Sequence, residues 1–347
     1  MRIENDIKLD FCDVLIKPKK SPVPSRSEVD LIRNYNFLNS KNSWSGIPVI
    51  AANMDTTGTF AMTLSLSHCK MLTCLHKHYP TETLINFFQS FPNPEYVFYT
   101  LGIGERDLSK FERVYSACGE KIQNVCIDVA NGYISCFVDF VKSFRNQYPS
   151  LNLMAGNIAT PEMVLDLVSN GVDIIKVGIG SGAVCTTRKI SGVGFPQFSA
   201  ILETADVAHG CGAHVCSDGG CVDPGDVAKA FAAGADFVML GGMLGGCEEC
   251  EGDWNYDENL EKQSLVFYGM SSSEAMNKYN GGVACYRAAE GKSVEVPYKG
   301  PANVVVSEIM GGLVSACSYV GTKKLKDLSK CTTFIRVNRT HNTIFGN

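Results

Sequence analysis

Residues 178–188 read GIGSGAVCTTR. Cys185 stands there behind three glycines and ahead of two hydroxyls, Thr186 and Thr187, and one cation, Arg188. A thiol attacks as its thiolate, and positive surroundings in an open loop favour that form. Hydroxyls are poor acids by themselves, so Thr186 or Thr187 would relay protons only beside a partner such as Glu290. A plain turn capped by CTTR fits the same residues, and both readings stand open at this level. The second cluster is SDGG at 217–220, with a further glycine pair, Gly241 and Gly242. Glycine lets backbone N–H groups approach a phosphate closely. Asp218, beside Gly219 and Gly220, suits the hydroxyls of a ribose. Tight turns are the plainer alternative; position favours phosphate, since barrels often bind it after strands seven and eight.

These residues need elements to hold them. Eight short runs, apolar on both faces, read as buried parallel strands: 48–54, 71–77, 96–102, 124–130, 151–157, 173–180, 213–220 and 236–242. Helix punctuation separates them. Thr160, Pro161 and Gly171 frame one helix, and Asp223, Pro224 and Gly234 another. Pro196 and Gly210 frame a third. Eight such units predict a (β/α)8 TIM barrel; an open doubly wound sheet is the alternative, but it lacks its G-x-G-x-x-G turn. A barrel gathers function at the C-terminal strand ends. There the chain carries Asn53, Asp55, His76, Lys77, Asp128, Asn157, the cysteine loop, Asp218 and the glycine pairs. The whole of 1–347 reads as one barrel domain, with residues 244–300 as a lid inserted after strand eight.

Composition narrows the class. The chain has 347 residues, 45% hydrophobic and 19% charged, which fits a globular enzyme. A net charge of −5 gives no reason to expect a nucleic acid partner. The opening MRIENDIKLDF has no apolar signal region, and no apolar run approaches the ~20 residues that span a bilayer. The expectation is therefore a cytoplasmic protein without membrane contact. The 15 cysteines are odd in number and scattered, as free thiols in a reducing compartment would be. The C-x-x-C of Cys247 and Cys250 has no second pair, so a zinc site is not favoured.

The motifs GIGSGAVCTTR, SDGG, FVMLGGML, FYGMSS and YRAAEGK, taken together, resemble the IMP dehydrogenase/GMP reductase family, from DIKLDFCDVLIKPKKS through TTFIRV. IPVIAANMDTTGTF, HKHY and CIDVANGY are similar to the reductase branch. Only residues 78–95 lie between the second and third strands, too few for the regulatory domain insert usual in the dehydrogenases. Nor does the lid carry their Arg-Tyr pair; Arg287 follows Tyr286. The resemblance implies NADPH-dependent reductive deamination of GMP to IMP and ammonia through a covalent thioimidate, in purine salvage. IMP oxidation, or an inactive nucleotide-binding barrel, are the alternatives.

Residue by residue, the resemblance implies Cys185 as nucleophile and Thr187 with Glu290 for proton transfer. GMP would meet Asp218, Gly219, Gly220, Gly241, Gly242, Gly269, Met270, Ser271, Arg287, Ala288, Ala289 and Gly291. NADPH would meet Lys77, Asp128, Val129, Ala130, Ile179, Gly180, Met270, Tyr286 and Arg287. Ser25, Arg26, Ser315, Ala316, Cys317 and Ser318 would complete that site from a neighbouring subunit of a homotetramer. A potassium ion would sit on the loop of Gly180, Gly182, Cys185 and Arg188. Two departures stand out. Ser181 replaces a rigid proline, which should loosen the loop, and Ala183 replaces a serine that helps hold the phosphate, which should weaken GMP binding.

Overall fold

Each of the eight apolar runs forms a strand in this computed structural model, which describes residue 1 and residues 3–338. They are β1 (Val49–Ala51), β2 (Leu72–Cys74), β3 (Val97–Leu101), β4 (Asn124–Asp128), β5 (Asn152–Ile158), β6 (Ile174–Val177), β7 (His214–Asp218) and β8 (Phe237–Leu240). Neighbours pair in parallel around the whole circle, and β8 closes it on β1 through Val238 to Val49 and Leu240 to Ala51. The (β/α)8 barrel is therefore observed as expected.

Alternation along each strand divides the core. Ile50, Leu72, Phe98, Cys126, Met154, Ile174, Cys216 and Met239 fill the interior. The opposite faces meet the helices α1 (Phe60–His68), α2 (Thr81–Ser90), α3 (Glu105–Cys118), α4 (Ser135–Gln147), α5 (Glu162–Ser169), α6 (Gln197–Gly210) and α7 (Pro224–Ala232). A hairpin of Arg33–Asn36 and Ser43–Gly46 stops the N-terminal end with Tyr35, Phe37 and Trp44. Helix starts follow the punctuation with one exception. The Asp226 side chain closes a capping box on the Asp223 N–H of α7. Thr160, expected to cap α5, instead shares its hydroxyl with Tyr133 at 2.7 Å, and Pro161 precedes the helix.

Between β2 and β3 lie only α2 and the short turn Pro94–Tyr96, leaving no room for a regulatory domain. After β8 the chain leaves the barrel as an insertion. It forms a three-stranded antiparallel sheet, β9 (Trp254–Tyr256), β10 (Lys262–Tyr268) and β11 (Ser293–Pro297), with α8 (Ser273–Asn280) between the last two. Its root holds Cys247 and Cys250, which are buried in the main core. Burial pushes their thiols up to about 12 and about 11, so both are inert fillers. The last barrel helix, α9 (Ala302–Val320), corrects one expectation, because its length and hydropathy do approach those of a membrane span. The apolarity has a packing use: Ala302, Val306, Ile309, Leu313, Cys317 and Val320 make a buried stripe against the barrel.

Asp173, fully buried before β6, ties the plug to the barrel. Its carboxylate accepts from the N–H groups of Asn39 (2.8 Å), Ser40 (3.2 Å) and Leu153 (3.0 Å), and from Arg145 at 2.8 Å. Removing one partner of a buried ion pair strands the other charge. Arg145→Ala is expected to lower unfolding stability by about 3 kcal/mol, read from urea denaturation. An unchanged midpoint would show that the pair carries no such weight.

Candidate active site

Period two along the strands sets a polar layer directly above the apolar one. Thr100 follows Phe98, Asp128 follows Cys126, Lys176 follows Ile174 and Asp218 follows Cys216. Lys176 is the centre of this layer and is only 3% exposed. Its ammonium donates to Asp128 (2.8 Å), Asn157 (2.8 Å) and Asp218 (2.6 Å), which uses all three protons. Asn157 completes the ring by donating to Asp218 at 2.8 Å and to the Gly178 carbonyl at 2.7 Å. Burial pushes the Asp128 carboxyl up, but the Lys176 charge outweighs this and holds it below the usual carboxylate range. For Lys176, burial works against the charge, yet Asp128 and Asp218 keep it well above the usual lysine value.

The cysteine loop lies beside this layer. Gly219, at φ +89°, comes so close that an added Cβ would meet Ser181 Oγ at 2.7 Å and the Gly182 nitrogen at 3.1 Å. The Ser181 hydroxyl donates to the Asp218 carbonyl at 2.9 Å. At the position where a rigid proline was expected to be missed, this hydrogen bond ties the loop to the end of β7. The Cys185 thiol donates to Thr187 Oγ1 at 3.2 Å. Arg188 is not the cation of this thiol. It is engaged by Asp10 at 2.8 Å and by the Phe195 carbonyl at 2.6 Å, while its stem covers Gly180.

The insertion meets this loop with backbone bonds. Thr186 N–H donates to the Glu290 carbonyl (2.9 Å) and Lys292 N–H to the Val184 carbonyl (2.9 Å), so Gly291 pairs with Cys185. Glu290 N–H donates to Ser271 (2.9 Å) and Ser272 N–H to Gly269 (2.8 Å). Gly269 is tightly enclosed here, because an added Cβ would press the Gly291 Cα and the Val184 carbonyl at 3.2 Å each. Cys185, Thr187, Gly269, Met270, Ser271, Glu290 and Gly291 are therefore brought together. The Glu290 carboxylate forms no hydrogen bond with Thr187 in this arrangement.

Other candidates fall in three places. Gly242 faces Ala183, with an added Cβ 3.3 Å from the alanine methyl, and Lys299 donates to the Gly242 and Met243 carbonyls at 3.2 and 3.0 Å. Gly220, at φ +85°, follows Gly219, and Gly241 lies against Met54. Around the mouth, Val129 N–H donates to Gly156 and precedes Ala130, Ile179 accepts from Phe195, and Lys77 pairs with Asp107 at 2.7 Å. Gly182 accepts from Cys185 N–H at 3.0 Å. Tyr286, Arg287 and Ala288 lie on an exposed loop after α8, beside Ala289, and Tyr286 is 89% exposed. Ser25 caps the short turn Arg26–Glu28, which packs against α9, the helix that carries Ser315, Ala316 and Ser318. Cys317 differs from these neighbours: its side chain faces the core, and burial pushes its thiol up to about 12.

Lys176 and Asn53, a hydrogen-bond partner of Asp128, received no role from the sequence. A lone lysine inside the apolar run DIIKVGIG was the available signal. Lys176→Met would leave two carboxylates facing each other without their cation. The folded Asp128 value is depressed, so the stability it contributes is present above about pH 3.9 and is lost as pH falls through the lower folded value. The variant is accordingly expected to lose about 3–5 kcal/mol at pH 8, and less at pH 5 as the freed carboxyls take up protons. Denaturant unfolding at both pH values tests this; equal losses would contradict it.

Comparison with known proteins is consistent with this geometry. A family model described as IMP dehydrogenase / GMP reductase domain matches residues 8–343. GMP reductase 1 of Mus musculus is 54% identical over 346 residues, 99% of each chain. The GMP reductase of Phytophthora infestans is 55% identical over 99% of this chain and 95% of its own. That of Tolumonas auensis is 51% identical over 100% of this chain and 99% of its own. A closed eight-stranded barrel, a cysteine loop stitched to the insertion after its last strand, and matches along nearly the whole sequence agree: the chain belongs to the IMP dehydrogenase/GMP reductase family.

Proposed function

We propose that the protein catalyses the reductive deamination of GMP: GMP, NADPH and one proton give IMP, ammonia and NADP+. The observation that carries this reading is the seam between Cys185 and Gly291, which sets a thiol, the Thr187 hydroxyl and Glu290 at one mouth. The reading is also supported by the relatives named GMP reductase.

Carbon 2 of guanine is amidine-like and electrophilic, with a poor leaving group. The Cys185 sulfur attacks it and forms a C–S bond, while Thr187 with Glu290 delivers a proton to the departing amine. The result is a thioimidate on Cys185, with ammonia released. A bound nicotinamide would supply the hydride that carbon needs, and Cys185 would then leave as the thiolate as the C–S bond breaks. The chain fits such a cofactor at Asp128: one oxygen is taken by Lys176, yet the side chain is 34% exposed and open to a carboxamide N–H. Lys77, with Arg26 contributed by a neighbouring subunit, would meet the extra phosphate of NADPH. Gly219, Gly220, Gly241 and Gly242 would bind the GMP phosphate through backbone N–H groups, and Asp218 its ribose. The same reading includes a potassium ion on the carbonyls of the Gly180, Gly182 and Cys185 loop, a homotetramer, a cytoplasmic setting, a lid role for residues 244–300 and a place in purine salvage.

The test is loss of reduced-nicotinamide absorbance with GMP and NADPH, with ammonia assayed in parallel and IMP with NAD run beside it. Oxidation of NADPH that depends on GMP is expected, and Cys185→Ala should abolish it. Oxidation of IMP without reduction of GMP would reverse the assignment; binding of GMP without turnover would leave an inactive barrel. Ala183→Ser adds one hydroxyl facing the Gly242 turn. It is expected to lower the KM for GMP several-fold, as for one added hydrogen bond of about 1 kcal/mol, with kcat little changed. An unchanged KM would remove Ala183 from the phosphate site.

A further inference from the structure

Asp55, just beyond β1, is 4% exposed, and the reaction above does not use it. Its Oδ2 accepts three hydrogen bonds, and every donor comes from the insertion. Tyr268 donates at 2.5 Å, Tyr279 at 2.6 Å and Lys278 at 3.0 Å. Oδ1 is buried and accepts nothing, so the whole attachment runs through one oxygen. Burial raises the Asp55 carboxyl, but these three donors outweigh it and hold it below the usual range. A second contact supports the first: the His78 ring stacks on Tyr279, with centroids 3.5 Å apart and planes 13° from parallel.

The positions of the donors matter more than their number. Tyr268 ends β10 immediately before Gly269, whereas Lys278 and Tyr279 close α8. Asp55 thus grips the chain on both sides of residues 269–277. That stretch contains Ser271, whose carbonyl holds the Glu290 N–H, and Ser272, whose side chain caps α8 at Ala275 N–H. Glu290 in turn accepts from Thr186, next to the nucleophile. A continuous path of hydrogen bonds and short covalent links therefore runs from a buried carboxylate on the barrel to the cysteine loop.

We propose that Asp55 is a positioning residue: it fixes the insertion over the mouth, so that Ser271 and Glu290 stand at the height the Cys185 loop requires. Its effect on turnover rests on the reductase reading; its effect on the seam does not.

The experiment compares the full-length wild type with Asp55→Asn and Tyr279→Phe, by amide hydrogen exchange and by GMP-dependent NADPH oxidation. Asp55→Asn keeps the shape and removes the charge. Exchange at the Ser272, Glu290 and Lys292 amides is expected to rise about tenfold or more, with the β4–β7 amides unchanged. Turnover should fall about tenfold to a hundredfold, as for a small displacement of reacting groups. The KM for NADPH should stay within about twofold. Tyr279→Phe keeps the ring on His78 and loses one donor, so a smaller change of the same kind is expected. Wild-type exchange at those amides in both variants would overturn the proposal. A rise spread evenly over the barrel strands would do so as well, since it marks a general stability role. A wild type that oxidises no NADPH with GMP would sink the reductase reading, while the exchange result would still decide the role of Asp55 at the seam.

Discussion

Lys176 is a full positive charge placed inside the barrel, and the mouth is arranged around keeping it there. A buried ammonium persists only when its protons are all accepted and its charge is opposed. Asp128, Asp218 and Asn157 do both, and they come from three different strands. The balance is one cation against two carboxylates, so this part of the floor carries a net negative charge. Such a floor suits hydroxyl and amide donors, and it repels phosphate. In the proposed reading phosphate goes instead to the glycine turns after β7 and β8, where backbone N–H groups would take the place of cations.

The second constraint is that the site is built from two independent pieces of chain. In the proposed reaction the barrel supplies the thiol and the polar layer, and the insertion the Glu290 carboxylate. Neither is complete alone. Close backbone approach makes the join: Gly269 and Gly291 come together beside the Val184 carbonyl at distances where an added Cβ would be crowded. Buried Cys247 and Cys250 seat the root of the insertion, and Asp55 holds its far side. A thiol in an open loop is in this way given fixed neighbours without being covered.

The barrel was legible because its signal is repeated. Eight apolar runs with helix punctuation between them leave few other arrangements, and period two alone decides which residues face inward. The cysteine loop was legible by composition. The buried polar contacts were less so. Arg188 lies three residues from Cys185, yet its partner is Asp10, far away in sequence, and no local pattern announces that pairing. Ser181 looked like a loss of stiffness, because its acceptor is a backbone carbonyl on another strand. Cys247 and Cys250 sit in a polar stretch that gives no sign of burial, yet a tight turn places them in the core. Long-range partners decide each of these cases, and spacing along one chain does not encode them.

The exposed stretch 281–289 has both of its ends secured. Tyr279 is held on Asp55, and Glu290 is held between Ser271 and Thr186. It is thus a bight in a line made fast at two points. Slack in such a bight costs little, since each doubling of a loop adds only about 0.6 kcal/mol of closure entropy. Evolution can lengthen, shorten or recompose what hangs over the mouth while the thiol and its neighbours keep their places. The chemistry and the choice of what is admitted to it are therefore free to change separately.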